Sequence, residues 1–169
     1  MISIALFEPQ IPPNTGNIAR LCVGLDIDLF LVGKLGFSID NKYVKRAGLD
    51  YWEHLRLKTF DTLEKLKEEN INRRIIIATT KGITPYFDFN YHKDDIILFG
   101  SETKGLPLSF IKENLKNSIT IPMPGLVRSL NLSNSAAIIA YHALWTLGYF
   151  NNFEKNRNYY EIFSEENTF

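Results

Sequence analysis

Short apolar runs that alternate with helical patterns are the feature that most constrains how this chain can fold. The apolar runs have the length and composition of buried strands and lie at residues 2–7, 29–32, 55–58, 75–78, 96–99 and 118–121. Helical patterns lie between or after them at residues 17–25, 62–69, 107–115 and 132–148, with a weaker one at 42–47. This alternation predicts an α/β fold built on a single Rossmann-like, mostly parallel sheet.

Length and composition indicate one soluble domain. No linker or internal repeat divides the 169 residues, so we predict a domain at 1–150 and a polar tail at 151–169. Nineteen Lys and Arg balance nineteen Asp and Glu, so any RNA site must be a local basic patch. The single cysteine, Cys22, suits a reducing compartment. The first residues resemble neither a signal peptide nor a membrane span, and a cytoplasmic location is predicted.

The first helical pattern places two polar side chains together. Its apolar residues recur at i, i+3, i+4 and i+7 from Ile18, which predicts a face toward the core. Asn17 and Arg20 are three residues apart and therefore neighbours on the adjoining face. Asn14 or Thr15, after two prolines, is the expected N-cap. An amide and a guanidinium thus follow the first strand, at the sheet edge where α/β proteins bind ligands.

The last helical pattern has almost no polar face between residues 136 and 147. A helix of this kind is buried on all sides, either in the centre of one domain or against a second subunit. We favour a homodimer contact, and a central core helix is the alternative. His142 within this helix is expected to be structural.

The familiar nucleotide and metal motifs do not fit. Residues 100–105 have the glycine spacing of a phosphate-binding P-loop, but Leu106 stands where its lysine must be. The first strand–helix turn has Gly16 without the dinucleotide-binding glycine pattern. The histidines have no ligand spacing with Cys22, so no metal site is predicted. No pattern typical of a serine hydrolase is present either.

Glycine, proline and small polar residues are instead concentrated at three strand ends, in segments 8–20, 99–107 and 121–134. Such residues allow tight turns that present main-chain N–H and C=O groups to a small ligand. Neutral loops of this kind suit an adenosine-type ligand better than a polyphosphate. The alternative is that these segments are ordinary turns without a ligand. The occurrence of three such segments at strand ends makes this alternative less favourable.

These three segments resemble the signature motifs of the SPOUT superfamily of RNA methyltransferases. The similarity is greatest to the bacterial tRNA wobble-nucleotide 2'-O-methyltransferases, and it extends from residue 1 to about 148. It is carried by IPPNTGNIAR at 11–20, RAGLDY at 46–51, TTKG at 79–82 and NLSN at 131–134.

The resemblance implies a fold and a reaction. The fold has a C-terminal deep trefoil knot, and it forms a homodimer with active sites at the subunit interface. The reaction transfers a methyl group from S-adenosylmethionine to the wobble ribose of tRNA, at cytidine or 5-carboxymethylaminomethyl-uridine, and leaves S-adenosylhomocysteine. Neither a metal nor a membrane is involved.

The resemblance also implies site residues. Cofactor contacts, mostly through the backbone, fall on Ala78, Thr79, Gly100, Ile121, Ser129 and Leu130. Arg20 is the residue that acts on the ribose hydroxyl, with Asn17, Glu102 and Ser129 as further catalytic candidates. Because arginine is a poor base at neutral pH, we hypothesise that Arg20 holds the 2'-oxygen and a neighbouring phosphate by charge-assisted hydrogen bonds. Asn17 is expected to orient Arg20, while Glu102 and Ser129 are candidates for pairing with it and placing the ribose.

RNA contacts are expected from the basic residues near these motifs, namely Lys42, Lys45, Arg46, Lys81, Lys104 and Arg128. One departure from the family pattern is the loop at 124–127, PGLV, which is shorter and more apolar than the family's usual acidic version. Two alternatives stay open: an inactive RNA-binding dimer, and a methyltransferase that acts on another RNA site.

Overall fold

One parallel sheet organises the computed structural model, which describes residues 1–38 and 52–151. Its strands in chain order are β1 Ser3–Phe7, β2 Asp28–Val32, β3 Leu57–Phe60, β4 Ile75–Ala78, β5 Thr84–Pro85, β6 Ile96–Phe99 and β7 Ser118–Thr120. They are arranged β3-β2-β1-β6-β4-β7-β5, and every pair of neighbours runs parallel. The predicted α/β class and parallel sheet are confirmed. The weak helix at 42–47 and the tail from 152 lie outside the described residues.

Helices cover both faces of the sheet: α1 Pro12–Leu25, α2 Leu63–Glu69, α3 Leu108–Glu113 and α4 Leu132–Thr146. One apolar layer joins the sheet to α1 and α4, and the predicted core stripe that includes Ile18 and Cys22 lies in it. The other layer joins the sheet to α2 and α3 through residues such as Phe30 and Leu66. Burial raises the pKa of the Cys22 thiol, so this side chain acts as a small core hydrophobe. No helix in the described part of the chain is long and apolar enough to span a membrane.

The start of α1 differs from the prediction for a clear reason. Pro12 and Pro13 occupy the first helical positions, where a proline's missing N–H costs nothing. Ile11 is therefore the N-cap, without a side-chain cap, and the prediction of Asn14 or Thr15 as N-cap was wrong. Both residues instead lie buried in the first helical turn.

Two other differences concern strands. The third strand was predicted at 55–58 but spans Leu57–Phe60, because a short 3₁₀ turn at Trp52–His54 holds the preceding residues in a turn. The short strand β5 was not predicted. It pairs with β7, which lies between β4 and β5 in the sheet.

The loop between β4 and β5 closes tightly on β7. The Thr79 N–H donates to the Ile119 carbonyl at 2.9 Å. A Cβ atom added at Gly82 would lie only 2.3 Å from the same carbonyl oxygen, so a side chain does not fit there. The strand β7 therefore runs directly against the backbone of this loop.

Helix α4 is buried on one side only. Ala136, Ile139, Ala143 and their neighbours on that side pack into the core. Tyr141 and Trp145 on the opposite side are exposed, at 53% and 66%. The prediction of a helix buried all round therefore does not hold within a single chain.

Candidate functional site

A cavity of about 600 Å³ lies at the carboxyl edge of the sheet. The ends of β4, β6 and β7 and the loops that follow them form most of it, with the first turns of α1 and α4 at its side. Small-molecule sites in proteins typically fall between about 300 and 1,000 Å³, and parallel sheets usually bind ligands at this edge. The geometry therefore identifies this cavity as the candidate ligand site.

The loop after β6 forms one wall of this cavity as a tight backbone turn. The Gly105 N–H donates to the Ser101 carbonyl at 2.9 Å, and the two residues form an isolated bridge. An added Cβ at Gly100 would meet the Gly105 carbonyl carbon at 2.3 Å, so only glycine fits. Gly105 itself has φ +69, the left-handed region that glycine adopts readily. The segment that resembled a P-loop is thus a turn closed on itself.

Glu102, at the tip of that turn, binds the segment before α1. Its carboxylate accepts hydrogen bonds from the backbone N–H groups of Gln10 at 2.9 Å and Ile11 at 3.2 Å. The Asn14 side-chain amide donates a third, at 2.9 Å. Since α1 has no side-chain cap of its own, Glu102 supplies the negative charge that the positive end of the helix dipole favours.

Asn14 extends this network to the third segment. Its side-chain oxygen accepts a hydrogen bond from the Asn131 amide at 2.9 Å. Asn131 in turn is the N-cap of α4 and accepts from the Ser133 N–H at 2.8 Å. The chain Asn131–Asn14–Glu102 therefore joins all three glycine- and proline-rich segments, and we call it the asparagine–glutamate network.

Sequence reasoning had not assigned Asn14 or Asn131 to the site. Asn14 was predicted as a possible helix cap within the IPPNTGNIAR motif, and Asn131 was named only as part of the NLSN motif. Both residues lie in the motif segments, and this position was the indication of a site role that the sequence offered. The hydrogen bond between them could not be predicted, because the two residues are 117 positions apart in the chain.

The candidate site residues fall into two groups. Those at the cavity wall are Ala78, Thr79, Gly100, Glu102, Ile121, Ser129 and Leu130, which includes all six of the proposed cofactor contacts. Asn17 and Arg20 are exposed on α1 and, in the described part of one chain, are not among the cavity-lining residues. Arg20 follows Asn14 by six residues, which is about 9 Å along the helix axis.

Basic residues also line the cavity, whereas metal-ligand groupings do not occur there. Lys81, Lys104 and Arg128 all contribute to its wall with exposed side chains. Lys42, Lys45 and Arg46 lie outside the described residues. Across residues 1–38 and 52–151, no group of three or more His, Cys, Asp and Glu side chains could hold a metal ion.

Fold and cavity together define an α/β protein with a candidate small-molecule site in glycine-containing loops at the carboxyl edge of a parallel sheet. The sequence profile of the SpoU rRNA Methylase family matches residues 1–141. The chain belongs to this family, and the resemblance drawn from its motifs is confirmed.

Individual proteins are similar to this chain along nearly their whole length. A tRNA (cytidine(34)-2'-O)-methyltransferase from Photorhabdus asymbiotica is 43% identical over 156 residues, which cover 88% of this chain and 96% of that protein. One of the same name from Aeromonas hydrophila is 41% identical over 150 residues, with the same coverage of 88% and 96%.

Solved structures agree with this assignment. A structure concerned with 2-OH methylation of C/U34 on tRNA has a TM-score of 0.81 and 37% identity, and it covers 87% of this chain and 96% of that one. A SpoU methyltransferase from Streptomyces viridochromogenes, in complex with the cofactor AdoMet, shares the fold. Its TM-score is 0.77 at 22% identity, with 86% of this chain and 57% of that one covered.

The asparagine–glutamate network predicts a stability effect. Asn14→Ala removes a buried amide that bonds a carboxylate, and we expect the free energy of unfolding to fall by about 1.5–3 kcal/mol. Urea denaturation would measure it, with the exposed helical residue in Asn134→Ala as the matched control. Equal stability of the two variants would contradict a structural role for the network.

Proposed function

We propose that this protein transfers a methyl group from S-adenosylmethionine to the ribose 2'-hydroxyl of tRNA nucleotide 34, a cytidine or 5-carboxymethylaminomethyl-uridine. The observation that carries the proposal is identity of 41–43%, along nearly their whole length, to relatives named for this reaction on cytidine(34). The cavity formed by the three motif segments supports it, since each segment contributes to the wall.

The cavity fits the cofactor. Its wall combines small residues such as Thr79 and Gly100 with apolar side chains such as Phe99, and at Gly100 even a methyl group would collide with the facing turn. Ala78 and Thr79 at the end of β4, Gly100, Ile121 and the pair Ser129–Leu130 are the residues that would hold the nucleoside and amino-acid parts. When bound, the cofactor would supply a methyl group on a sulfonium: the S–CH3 bond breaks as the O–CH3 bond forms, neutral S-adenosylhomocysteine leaves, and the hydroxyl proton passes to solvent, with no metal needed.

The protein's own task is to place the ribose oxygen and stabilise the negative charge that develops on it. Arg20 carries a planar guanidinium that can donate to the 2'-oxygen and to an adjacent phosphate at once. Asn17 lies beside it on α1 and can fix its orientation. Ser129, exposed in the cavity wall, is the group that would donate to or accept from the ribose. Glu102 holds the motif loops through its bonds to Gln10, Ile11 and Asn14.

A homodimer would complete this site. The outer side of α4 exposes Ile138, Tyr141 and Trp145, and such an apolar surface typically marks an interface. Because α1 packs against α4, an interface here would bring Arg20 near the second chain. In our proposal Arg20 enters the cavity of the partner subunit.

The fold and location complete the proposal. The close contact between the β4–β5 loop and β7 supports a chain that threads through this loop to form a trefoil knot. The substrate is a tRNA, so we place the protein in the cytoplasm.

The decisive test of substrate is a map of ribose methylation in tRNA. We expect nucleotide 34 to lose its 2'-O-methyl group in cells that lack this protein and to regain it with the wild-type gene but not with Arg20→Ala. Calorimetry should show S-adenosylhomocysteine bound by both proteins. Unchanged methylation at nucleotide 34 would exclude this substrate, and absent cofactor binding would exclude the reaction.

We call the simultaneous binding of the 2'-oxygen and the phosphate by Arg20 the clamp. This role predicts that lysine cannot replace Arg20. Arg20→Lys keeps the charge but loses the two-pronged geometry, so we expect kcat to fall at least about tenfold, equivalent to one charged hydrogen bond. The affinity for S-adenosylhomocysteine should stay unchanged. Arg56→Lys, an exposed arginine that pairs with Asp26 and Asp28, is the control for the substitution itself. Near wild-type turnover of Arg20→Lys would exclude bidentate binding.

The composite site predicts complementation between two inactive proteins. Arg20→Ala lacks the clamp, and Ser129→Trp fills the cavity. When the two are refolded together, half of the dimers are mixed and each has one complete site, so about a quarter of wild-type activity should return. Light scattering would check that the refolded proteins are dimers. No recovery in proven mixed dimers would show that Arg20 acts within its own chain.

A further inference from the structure

Two apolar side chains protrude beside the cavity without a contact that explains them. Leu126 is fully exposed and Val127 is 61% exposed, in the loop that follows β7. Met123 on one side of them and Arg128 on the other both line the cavity. Single exposed leucines are common on protein surfaces. Two adjacent exposed apolar side chains at the rim of a ligand cavity instead suggest that a binding partner covers them. We call residues 126 and 127 the apolar tip.

The surroundings of the tip favour RNA as that partner. Lys81, Lys104 and Arg128 line the same cavity with exposed side chains. The carboxylate in the described wall, Glu102, already accepts three hydrogen bonds from N–H groups. Cationic side chains suit phosphates, and an apolar surface beside them can cover the face of an unstacked base, although here it is aliphatic rather than aromatic.

The geometry of the reaction indicates which base is involved. A ribose that enters the cavity carries its base with it, and that base must leave the stack of its neighbours. Unstacking exposes an apolar ring face to water, at a cost of about a few kcal/mol per base. An apolar surface at the rim would cover part of that face and recover some of this free energy.

We propose that Leu126 and Val127 contact the base of the nucleotide whose ribose is methylated, so that the apolar tip contributes to substrate affinity. This rests on the proposed function, because it needs an RNA nucleotide in the cavity. A second copy of the chain is the competing occupant. The exposed side of α4, with Tyr141 and Trp145, already offers the apolar surface for that copy.

The test compares RNA affinities of tip variants by fluorescence anisotropy, with whole tRNA and S-adenosylhomocysteine present. We expect Leu126→Ser to weaken tRNA binding about three- to tenfold, as loss of one partly buried aliphatic side chain does. Leu126→Met should bind as the wild type does, and cofactor affinity should not change. Ile71→Ser is the matched control, since Ile71 is 84% exposed and precedes the amino end of β4, away from the cavity.

A tRNA that lacks the base of nucleotide 34 tests whether Leu126 contacts that base. It can be prepared by joining two half-molecules. The wild type should bind this RNA more weakly, and Leu126→Ser should cause no further loss on it. Equal affinity of wild type and Leu126→Ser for intact tRNA would overturn the proposal, as would an equal loss on both RNAs. If light scattering shows that Leu126→Ser is monomeric, the proposal would also be overturned, because the apolar tip would then contact a second copy of the chain. These binding results do not depend on methyl transfer, so absent methylation at nucleotide 34 would separately refute the proposed function.

Discussion

The Glu102 carboxylate is the group on which the arrangement of the site depends. It comes from the turn after β6 but satisfies two backbone N–H groups before α1, a helix whose own sequence provides prolines and no side-chain cap. Through Asn14 it also reaches Asn131, the residue that starts α4. Without this carboxylate, the N–H donors of Gln10 and Ile11 and the amide of Asn14 would have no charged acceptor at the cavity side. The three loops are therefore held together by one anion and two amides.

The parallel sheet explains why these loops can meet at all. Strands β1, β6, β4 and β7 are consecutive neighbours, so their carboxyl ends open at a single edge. The motif segments are far apart in the chain, and the Asn14–Asn131 bond alone spans 117 residues. Glycine at 82 and 100 then allows backbone to approach backbone, where any side chain would collide. Sheet order brings the segments together, and the absence of side chains at these points lets them close on a ligand.

The sequence contains enough information for the architecture but less for the boundaries and the contacts. Apolar runs and the stripe from Ile18 predicted the sheet and the core face of α1, since burial produces these periodicities directly. The predicted N-cap of α1 was wrong because asparagine is common at N-caps, whereas Pro12 and Pro13 occupy the first two helical positions and make Ile11 the cap. Strand β5, with only Thr84 and Pro85, is too short to produce any pattern. Asn14 could not be recognised as a bridge, because its two partners are brought near only by the completed fold.

The position of Arg20 shows the same limit at the level of assembly. Its spacing from Asn17 placed both on one exposed face of α1, and the structure has them there. The local sequence can indicate that Asn17 and Arg20 share one face of a helix. It carries no information on which cavity that helix face contacts. The cofactor contacts proposed here lie in one chain, whereas the proposed clamp lies outside that chain's cavity wall. In the proposed homodimer, the cofactor contacts would come from one chain and the clamp from the other, so that association through α4 would control turnover. The proposed division would also account for the exposed apolar side of α4, a kind of surface that favours aggregation when nothing covers it.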